Sequence, residues 1–139
     1  SQLKTSWNLP LSNYIIDAWA WVEYLVGSEH GAKLNKILDE NNNQVYTCAI
    51  TLAEIISKVA RERRDIEAAS SVVSSNSQIV NVDKDLSVQA GLLHCEMRKT
   101  LKDFGLADAY VLATAKRLNA KILTGDLHFK NIKDAVMIE

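Results

Sequence analysis

Short apolar runs alternate along the chain with longer stretches whose apolar residues recur every three or four positions. The short runs are rich in strand-forming residues and indicate five strands, at 13–17, 44–50, 78–82, 120–126 and 135–139. Helical spacing predicts helices between them, at 18–27, 28–40, 51–63, 65–77, 83–105 and 107–119. Continuous apolar strands that alternate with helices are typical of a parallel sheet covered on both faces. The predicted fold class is therefore α/β, a three-layer α/β/α sandwich with a central, mostly parallel sheet.

The length of 139 residues suits a single domain with a substantial core, spanning 1–139. Residues 1–12, which include the chain's one proline, are interpreted as a leader segment, and Trp7 and Leu9 give it apolar side chains for packing. Hydrophobic residues make up 47% of the chain and charged residues 24%, which argues against disorder of the whole chain.

Charge, cysteine content and hydropathy narrow the class of protein further. The formal net charge of -1 provides no overall basic field for nucleic acid, although a local patch could still exist. Cys48 and Cys95 lack the paired spacing of a metal site and are interpreted as small packed residues in a reducing compartment. No apolar run approaches the roughly 20 residues of a membrane span, and the polar start at 1–13 shows no signal peptide. We therefore expect a cytoplasmic protein without a membrane segment.

Four acidic residues lie where predicted strands end or predicted helices begin. Asp17 ends the first strand, and Asp126 follows the fourth. Glu54 lies in the first turn of the helix after the second strand, and Asp108 opens the alanine-rich helix. Because sites in open parallel sheets form outside the carboxyl ends of the strands, we expect these four acids to converge at one edge of the sheet.

Each acid also has a purely local interpretation. Asp17 can cap the helix that follows it, and Glu54 can complete a capping box with Thr51. Asp108 can stabilise a helix N-terminus through the helix dipole, and Asp126 can be a turn residue. Taken singly, the local roles of Glu54, Asp108 and Asp126 are favoured, so the functional interpretation depends on the four acids together.

A cluster of three or four carboxylates is stable only if some are protonated or a cation lies among them, because like charges repel. Hard oxygen ligands favour Mg²⁺ or Mn²⁺. Such ions activate water and neutralise charge on a phosphoryl group. The expected reaction class is hydrolysis of a phosphodiester bond or another phosphoryl transfer.

Three blocks of the sequence resemble the PIN-domain family: YIIDAWAWVEYL (14–25), TLAEI (51–55) and GLADAYVLATAKRLNAKILTGDLHF (105–129). They occur in the order expected of that family and are most similar to the small VapC-type ribonuclease toxins of prokaryotic toxin–antitoxin systems. The resemblance covers nearly the whole chain from Tyr14 onward. The third block is the most specific, because it combines an acid that opens an apolar helix, a strand, and then Thr-Gly-Asp.

The resemblance implies a metal-dependent endoribonuclease with an acidic site for Mg²⁺ or Mn²⁺. By match to the family's motifs, the catalytic and metal-binding acids would be Asp17, Glu54, Asp108 and Asp126, with Thr124 helping to hold the site. An ion held there would activate a water for in-line attack on the scissile phosphate and stabilise charge on the leaving oxygen. The resemblance also implies an RNA substrate, a homodimer and an antitoxin protein that occludes the site.

One position departs from the family pattern. Many members carry a small or polar residue two places after the first acid, where this chain has Trp19, so a polar ligand role there is in doubt. For Trp19, Trp21 and Tyr24, a core or interface role is favoured over stacking on bases. A solvated helix face is likewise favoured over RNA contact for the basic residues within 58–64. His128, a lone histidine in a loop, is assigned no role.

Three alternative functions agree with the sequence to different degrees. A haloacid-dehalogenase-type phosphatase would need a second acid two places after Asp17, and Trp19 does not supply it. A PIN nuclease that processes RNA without being a toxin fits the sequence equally well. A catalytically inactive PIN-like binding module is a further alternative, against which the presence of all four acids argues.

Overall fold

A computed structural model describes residues 12–138 of the chain. The leader predicted for 1–12, with Trp7 and Leu9, lies outside the described residues except for Ser12, which begins the first strand. The elements follow one another as β1 (Ser12–Ile16), α1 (Ala18–Val26), α2 (Glu29–Asp39), β2 (Asn43–Cys48), α3 (Ala49–Arg61), α4 (Ile66–Asn76), β3 (Gln78–Val80), α5 (Lys84–Met97), α6 (Leu106–Leu118), β4 (Lys121–Thr124), a 3-10 turn (Leu127–Phe129) and β5 (Ala135–Met137).

Local side-chain chemistry explains where several helices begin and end. Asp17, Ser28, Asp65 and Asp83 each accept a hydrogen bond from a backbone N–H in the first turn of the helix that follows, which satisfies one otherwise unpaired donor. Helix α1 ends at Gly27, whose φ of 75° lies in the left-handed region that glycine adopts without strain.

The five strands form one sheet in the order β3-β2-β1-β4-β5, and every described strand pair is parallel. The chain first builds outward from β1 to β3 and then returns to place β4 on the other side of β1. The reversal makes the gap between β1 and β4 the topological switch point of the sheet, where ligand sites form in open α/β folds.

Side chains that alternate along the central strands bury two separate cores. Ile15 and Ile122 face a core shared with α5 and α6, whereas the next residues, Ile16 and Leu123, face a core shared with α1 to α4. All four of these side chains are fully buried. The three-layer α/β/α sandwich predicted from the sequence is therefore confirmed.

Two predicted helix boundaries are wrong. The third predicted helix begins at Ala49 rather than Thr51, because β2 ends at Cys48 and the chain turns directly into α3. The fifth ends at Met97 rather than near Gly105. The segment after Met97 turns so that Phe104 enters the core, where its ring meets that of Phe129 edge to face at 5.8 Å.

None of the helices within residues 12–138 is both long enough and apolar enough to cross a membrane.

Candidate active site

The carboxyl ends of the two strands at the switch point bring the first acid and the Thr-Gly-Asp sequence together. Ile16 pairs with Leu123 in the sheet, so Asp17 and Thr124 are the next residues on adjacent strands. The backbone N–H of Asp17 donates to the Leu123 carbonyl at 3.2 Å, which continues the strand pairing to this point. Sheet register therefore places the Asp17 carboxylate beside the Thr124 hydroxyl.

Thr124 connects two of the acids through one buried hydroxyl. Its Oγ1 donates to Oδ2 of Asp17 and accepts the backbone N–H of Asp126 at 2.9 Å. The other carboxylate oxygen of Asp17 accepts the N–H of Ala20 at 2.9 Å and so caps α1. Asp17 thus has both its local role as a helix cap and a place in the acidic cluster.

The third acid approaches from the N-terminus of α6. The Asp108 carboxylate accepts the Gly105 N–H at 2.8 Å, which holds it at the start of the helix. Nδ1 of His128 lies 3.3 Å from Oδ2 of Asp108 and 3.4 Å from Oδ1 of Asp126. One ligand atom from each of Asp108, Asp126 and His128 lies within 4.8 Å of the others.

Glu54 contributes from helix α3 and is exposed to solvent. Its predicted capping box with Thr51 is wrong, because α3 begins at Ala49 and both residues lie inside the helix. The hydroxyl of Thr51 is fully buried and makes no hydrogen bond within residues 12–138. The Glu54 carboxylate therefore does not cap α3. Partial desolvation raises its pKa, and it lies close enough to Asp108 and Asp126 for their charges to raise the pKa further.

The electrostatics of the site reflect burial of like charges. Burial raises the pKa of Asp17 to about 7, against the hydrogen bonds from Thr124 and Ala20, and the charges of Asp126 and Asp108 raise it further. Desolvation also raises the pKa of Asp108, although the Gly105 N–H partly offsets this effect. Partial desolvation and then the charges of Asp108 and Asp126 raise the pKa of Glu54. The folded chain therefore resists full ionisation of its acids, which is the condition that a bound cation relieves.

The donor set fits a divalent metal ion. Nδ1 of His128 is buried between two carboxylates, yet within the described residues it makes no hydrogen bond of satisfactory geometry. A buried nitrogen without a partner is costly, and an ion ligated by it and by the two carboxylates would satisfy it. Carboxylate oxygens suit Mg²⁺ or Mn²⁺, and imidazole is a ligand for several transition metals. Asp108, Asp126 and His128 could hold such an ion, with Asp17 beside them.

The two tryptophans of α1 differ in burial and in the residues that they contact. Trp21 is fully buried, and its indole N–H donates to the Thr47 hydroxyl at 3.0 Å. Trp19 is only partly buried, and its ring contacts His30 edge to face at 5.4 Å. The six-membered ring of Trp19 also packs on Gly125, since a Cβ at that position would lie 2.3 Å from it. Gly125 is therefore required for close approach of the ring, in addition to any role in the turn.

The four predicted acids do converge at this edge of the sheet, and Thr124 lies among them. Their roles in catalysis and in metal binding stay predictions. His128 is the residue that the sequence interpretation missed, and its imidazole lies between the carboxylates of Asp108 and Asp126. The sequence does carry a signal for this contact, because His128 is two residues after Asp126. The 3-10 turn that begins after Asp126 places the His128 ring close to the Asp126 carboxylate, which accepts the His128 N–H.

The profile of the family described as PIN domain matches residues 14–135. A comparison with curated protein sequences found no match.

Several solved structures share the fold. A toxin–antitoxin complex from Klebsiella pneumoniae is similar with a TM-score of 0.69 and 19% identity, covering 91% of this chain and 98% of that one. VapBC2 from Rickettsia felis, bound to a DNA fragment from its promoter, is similar with a TM-score of 0.69 and 19% identity, covering 90% of this chain and 96% of that one. VapC20 from Mycobacterium tuberculosis is described as a toxin that cleaves the sarcin-ricin loop. Its TM-score is 0.63 at 18% identity, and the match covers 78% of this chain and 85% of that one.

Proposed function

The chain belongs to the PIN-domain family, and from this premise we propose that it is a metal-dependent endoribonuclease that hydrolyses RNA phosphodiester bonds. We propose further that it acts as the toxin of a toxin–antitoxin pair. The similar solved structures support this second step, because their names describe toxin–antitoxin complexes and, for VapC20, a toxin that cleaves the sarcin-ricin loop.

One observation carries the proposal: the carboxylates of Asp17, Asp108 and Asp126 meet at the switch point, joined through the Thr124 hydroxyl and the His128 ring. The pKa of Asp17 reaches about 7, and those of Glu54 and Asp108 are raised as well. Such an arrangement costs stability in the metal-free protein, whereas a divalent cation would neutralise it. Asp108, Asp126 and His128 supply ligand atoms within 4.8 Å of one another, and Thr124 links Asp17 to Asp126.

The chain's own residues position the reacting groups. A bound Mg²⁺ or Mn²⁺ would supply activation of water and neutralisation of charge on the scissile phosphate. Thr124 orients the carboxylate of Asp17 and the backbone of Asp126 through one hydroxyl. The Gly105 N–H holds Asp108 at the helix start, where it faces His128. Asp17 retains its proton up to about pH 7 in the metal-free chain and would release it when an ion binds.

The proposed setting is a cytoplasmic homodimer regulated by an antitoxin protein that occludes the acidic site. The similar structure from Klebsiella pneumoniae supports the antitoxin, because it is described as a toxin–antitoxin complex. Two alternatives remain distinct from this proposal, a PIN nuclease of RNA processing and an inactive PIN-like binding module. A small gene for an antitoxin next to this one would favour the toxin over the processing enzyme.

The test is cleavage of RNA by the purified chain with Mn²⁺ or Mg²⁺, compared with Asp17→Asn and Asp108→Asn. Both variants are expected to lose activity by at least about a hundredfold, because each removes a charge that a metal ion requires. Asp39→Asn is the matched control, since Asp39 is an exposed acid at the end of α2, and it should cleave at the wild-type rate.

Binding of Mn²⁺, measured by calorimetry, should weaken in the two site variants and not in the control. Full activity of either site variant would refute the acidic site. Failure of the wild-type chain to cut any RNA, with Mn²⁺ still bound, would favour the binding module.

A further inference from the structure

The groove beside the acidic site contains an aromatic side chain that the proposed metal chemistry does not use. Helices α1 and α3 form the two walls of this groove, which has a volume of about 730 Å³. Glu54 lies on its wall, so the groove is continuous with the acids. Its volume falls within the roughly 300–1,000 Å³ of typical ligand pockets, which is enough for a nucleobase with its sugar.

Trp19 is fixed in this groove from two sides. The ring rests against Gly125, which immediately precedes Asp126, and its edge meets His30 at 5.4 Å. Nδ1 of His30 in turn lies 3.4 Å from the Glu23 carboxylate. A side chain held in this way loses little further freedom when a ligand stacks on it, because its rotamer is already set. The partly exposed indole therefore offers a fixed surface for stacking, next to the glycine that precedes Asp126.

The lining of the groove combines three kinds of side chain. Trp19, Val22, Ile50 and Ala53 are apolar, and Glu23 and Glu54 are acidic. Lys58 and Arg61 are basic and lie about one and two turns after Glu54 on α3. Lys58 is paired with Glu62 at 3.1 Å, whereas the guanidinium of Arg61 donates to Ser57 at 2.6 Å and has no carboxylate partner within residues 12–138.

We propose that Trp19 is a stacking platform for an RNA base next to the cleaved bond, and that Arg61 contacts a phosphate farther along the same strand. This inference rests on the proposed ribonuclease function and specifies how its substrate is held. Trp19 lies beside the glycine that precedes Asp126, and Arg61 lies about two turns beyond Glu54 on α3, so one groove offers an aromatic face for a base and a cation for a phosphate of the same strand. Stacking on an aromatic ring tolerates any base, so Trp19 sets the position of the strand rather than its sequence.

The test is direct binding of a fluorescein-labelled, single-stranded RNA hexamer, followed by anisotropy in a buffer with Ca²⁺. Trp19→Leu keeps an apolar side chain but removes the aromatic face, and should weaken binding about tenfold. Trp19→Phe keeps an aromatic ring and should stay within about threefold of the wild type. The control is Leu92→Ala on α5, an exposed apolar residue on the other face of the sheet, which should have no effect.

A second set of hexamers, each with one abasic nucleotide, separates stacking from folding. The wild-type chain should lose about tenfold in affinity when the stacked base is missing, and Trp19→Leu should show no further loss with that hexamer. Arg61→Gln should weaken binding of every hexamer equally and lower the slope of log affinity against log salt by about 0.7.

Three results would overturn the inference. The first is unchanged binding of the hexamer by Trp19→Leu, which would favour a protein partner as the occupant of the groove. The second is an equal loss by Trp19→Leu on intact and abasic hexamers, which would make Trp19 a structural residue only. The third is absence of hexamer binding by the wild-type chain, which would refute the base subsite, while cleavage of RNA with Mn²⁺ would still support the nuclease. Binding that depends on Trp19, in a chain that cuts no RNA with Mn²⁺, would support the base subsite and refute the nuclease.

Discussion

Replacement of Thr124 by valine tests how the site controls the charge of its buried acid. Valine has nearly the shape of threonine but lacks the hydroxyl, so the variant removes the hydrogen bond to Asp17 and the acceptor for the Asp126 N–H. Thr124 is fully buried, and solvent does not reach the position to replace either bond. The substitution therefore acts on the ionised form of Asp17 without removing any of the four acids.

The size of the effect follows from the energy of one hydrogen bond to a charged group. Such a bond contributes about 1.5–3 kcal/mol, which corresponds to roughly one to two pH units. In the wild-type chain the pKa of Asp17 is about 7, and the bond from Thr124 opposes the larger effect of burial. Loss of the bond raises the pKa, so a smaller fraction of Asp17 is ionised at pH 7. Affinity for Mn²⁺ at that pH should fall about five- to fiftyfold.

The assay is calorimetric titration with Mn²⁺ from pH 6 to pH 8.5. The midpoint of the pH dependence should move upward by roughly one to two pH units in Thr124→Val, and the difference in affinity from the wild type should shrink as the pH rises. Thr124→Ser retains the hydroxyl and is the matched control. Urea denaturation at pH 5, where Asp17 is protonated, verifies that the variant is folded. A Thr124→Val profile that overlays the wild type would refute the reasoning, and so would an equal shift in Thr124→Ser.

Two further predictions concern stability. The metal-free chain should become less stable as pH rises from about 4 to about 7, because the folded state keeps the proton of Asp17 in a window where the unfolded state has lost it. The loss is up to about 1.4 kcal/mol per pH unit, measurable by urea denaturation in EDTA, and Mn²⁺ should reverse it; a flat profile would contradict the raised pKa. Gly31→Ala should lower the free energy of unfolding by about 1–3 kcal/mol, because its Cβ would lie 2.5 Å from the Glu23 carbonyl oxygen between α1 and α2. Gly91→Ala, whose Cβ would meet no atom within 4 Å, should instead be neutral or stabilising by about 0.5–1 kcal/mol, and an equal loss in both variants would exclude the steric argument.

The sequence by itself determined the layers of the fold and the positions of the acids. Apolar runs such as YII at the end of β1 can be buried on both faces only in a covered parallel sheet, so the pattern specifies the architecture. Asp17 follows β1 directly and Asp126 follows β4 after one glycine, and strand direction alone places such residues at one edge of a parallel sheet.

Only the tertiary structure decided which local roles the residues kept. Thr51 and Glu54 have the spacing of a capping box, yet packing of α3 on the sheet starts the helix two residues earlier. Trp19 and Trp21 are two positions apart on one helix. Helix α1 packs so that Trp21 enters the core, whereas Trp19 contacts Gly125, the residue after β4. His128 meets Asp108 over a separation of twenty positions. Local patterns record the preferences of a short segment, whereas these contacts join segments that are distant in the chain, and burial in the folded protein outweighs the local preferences.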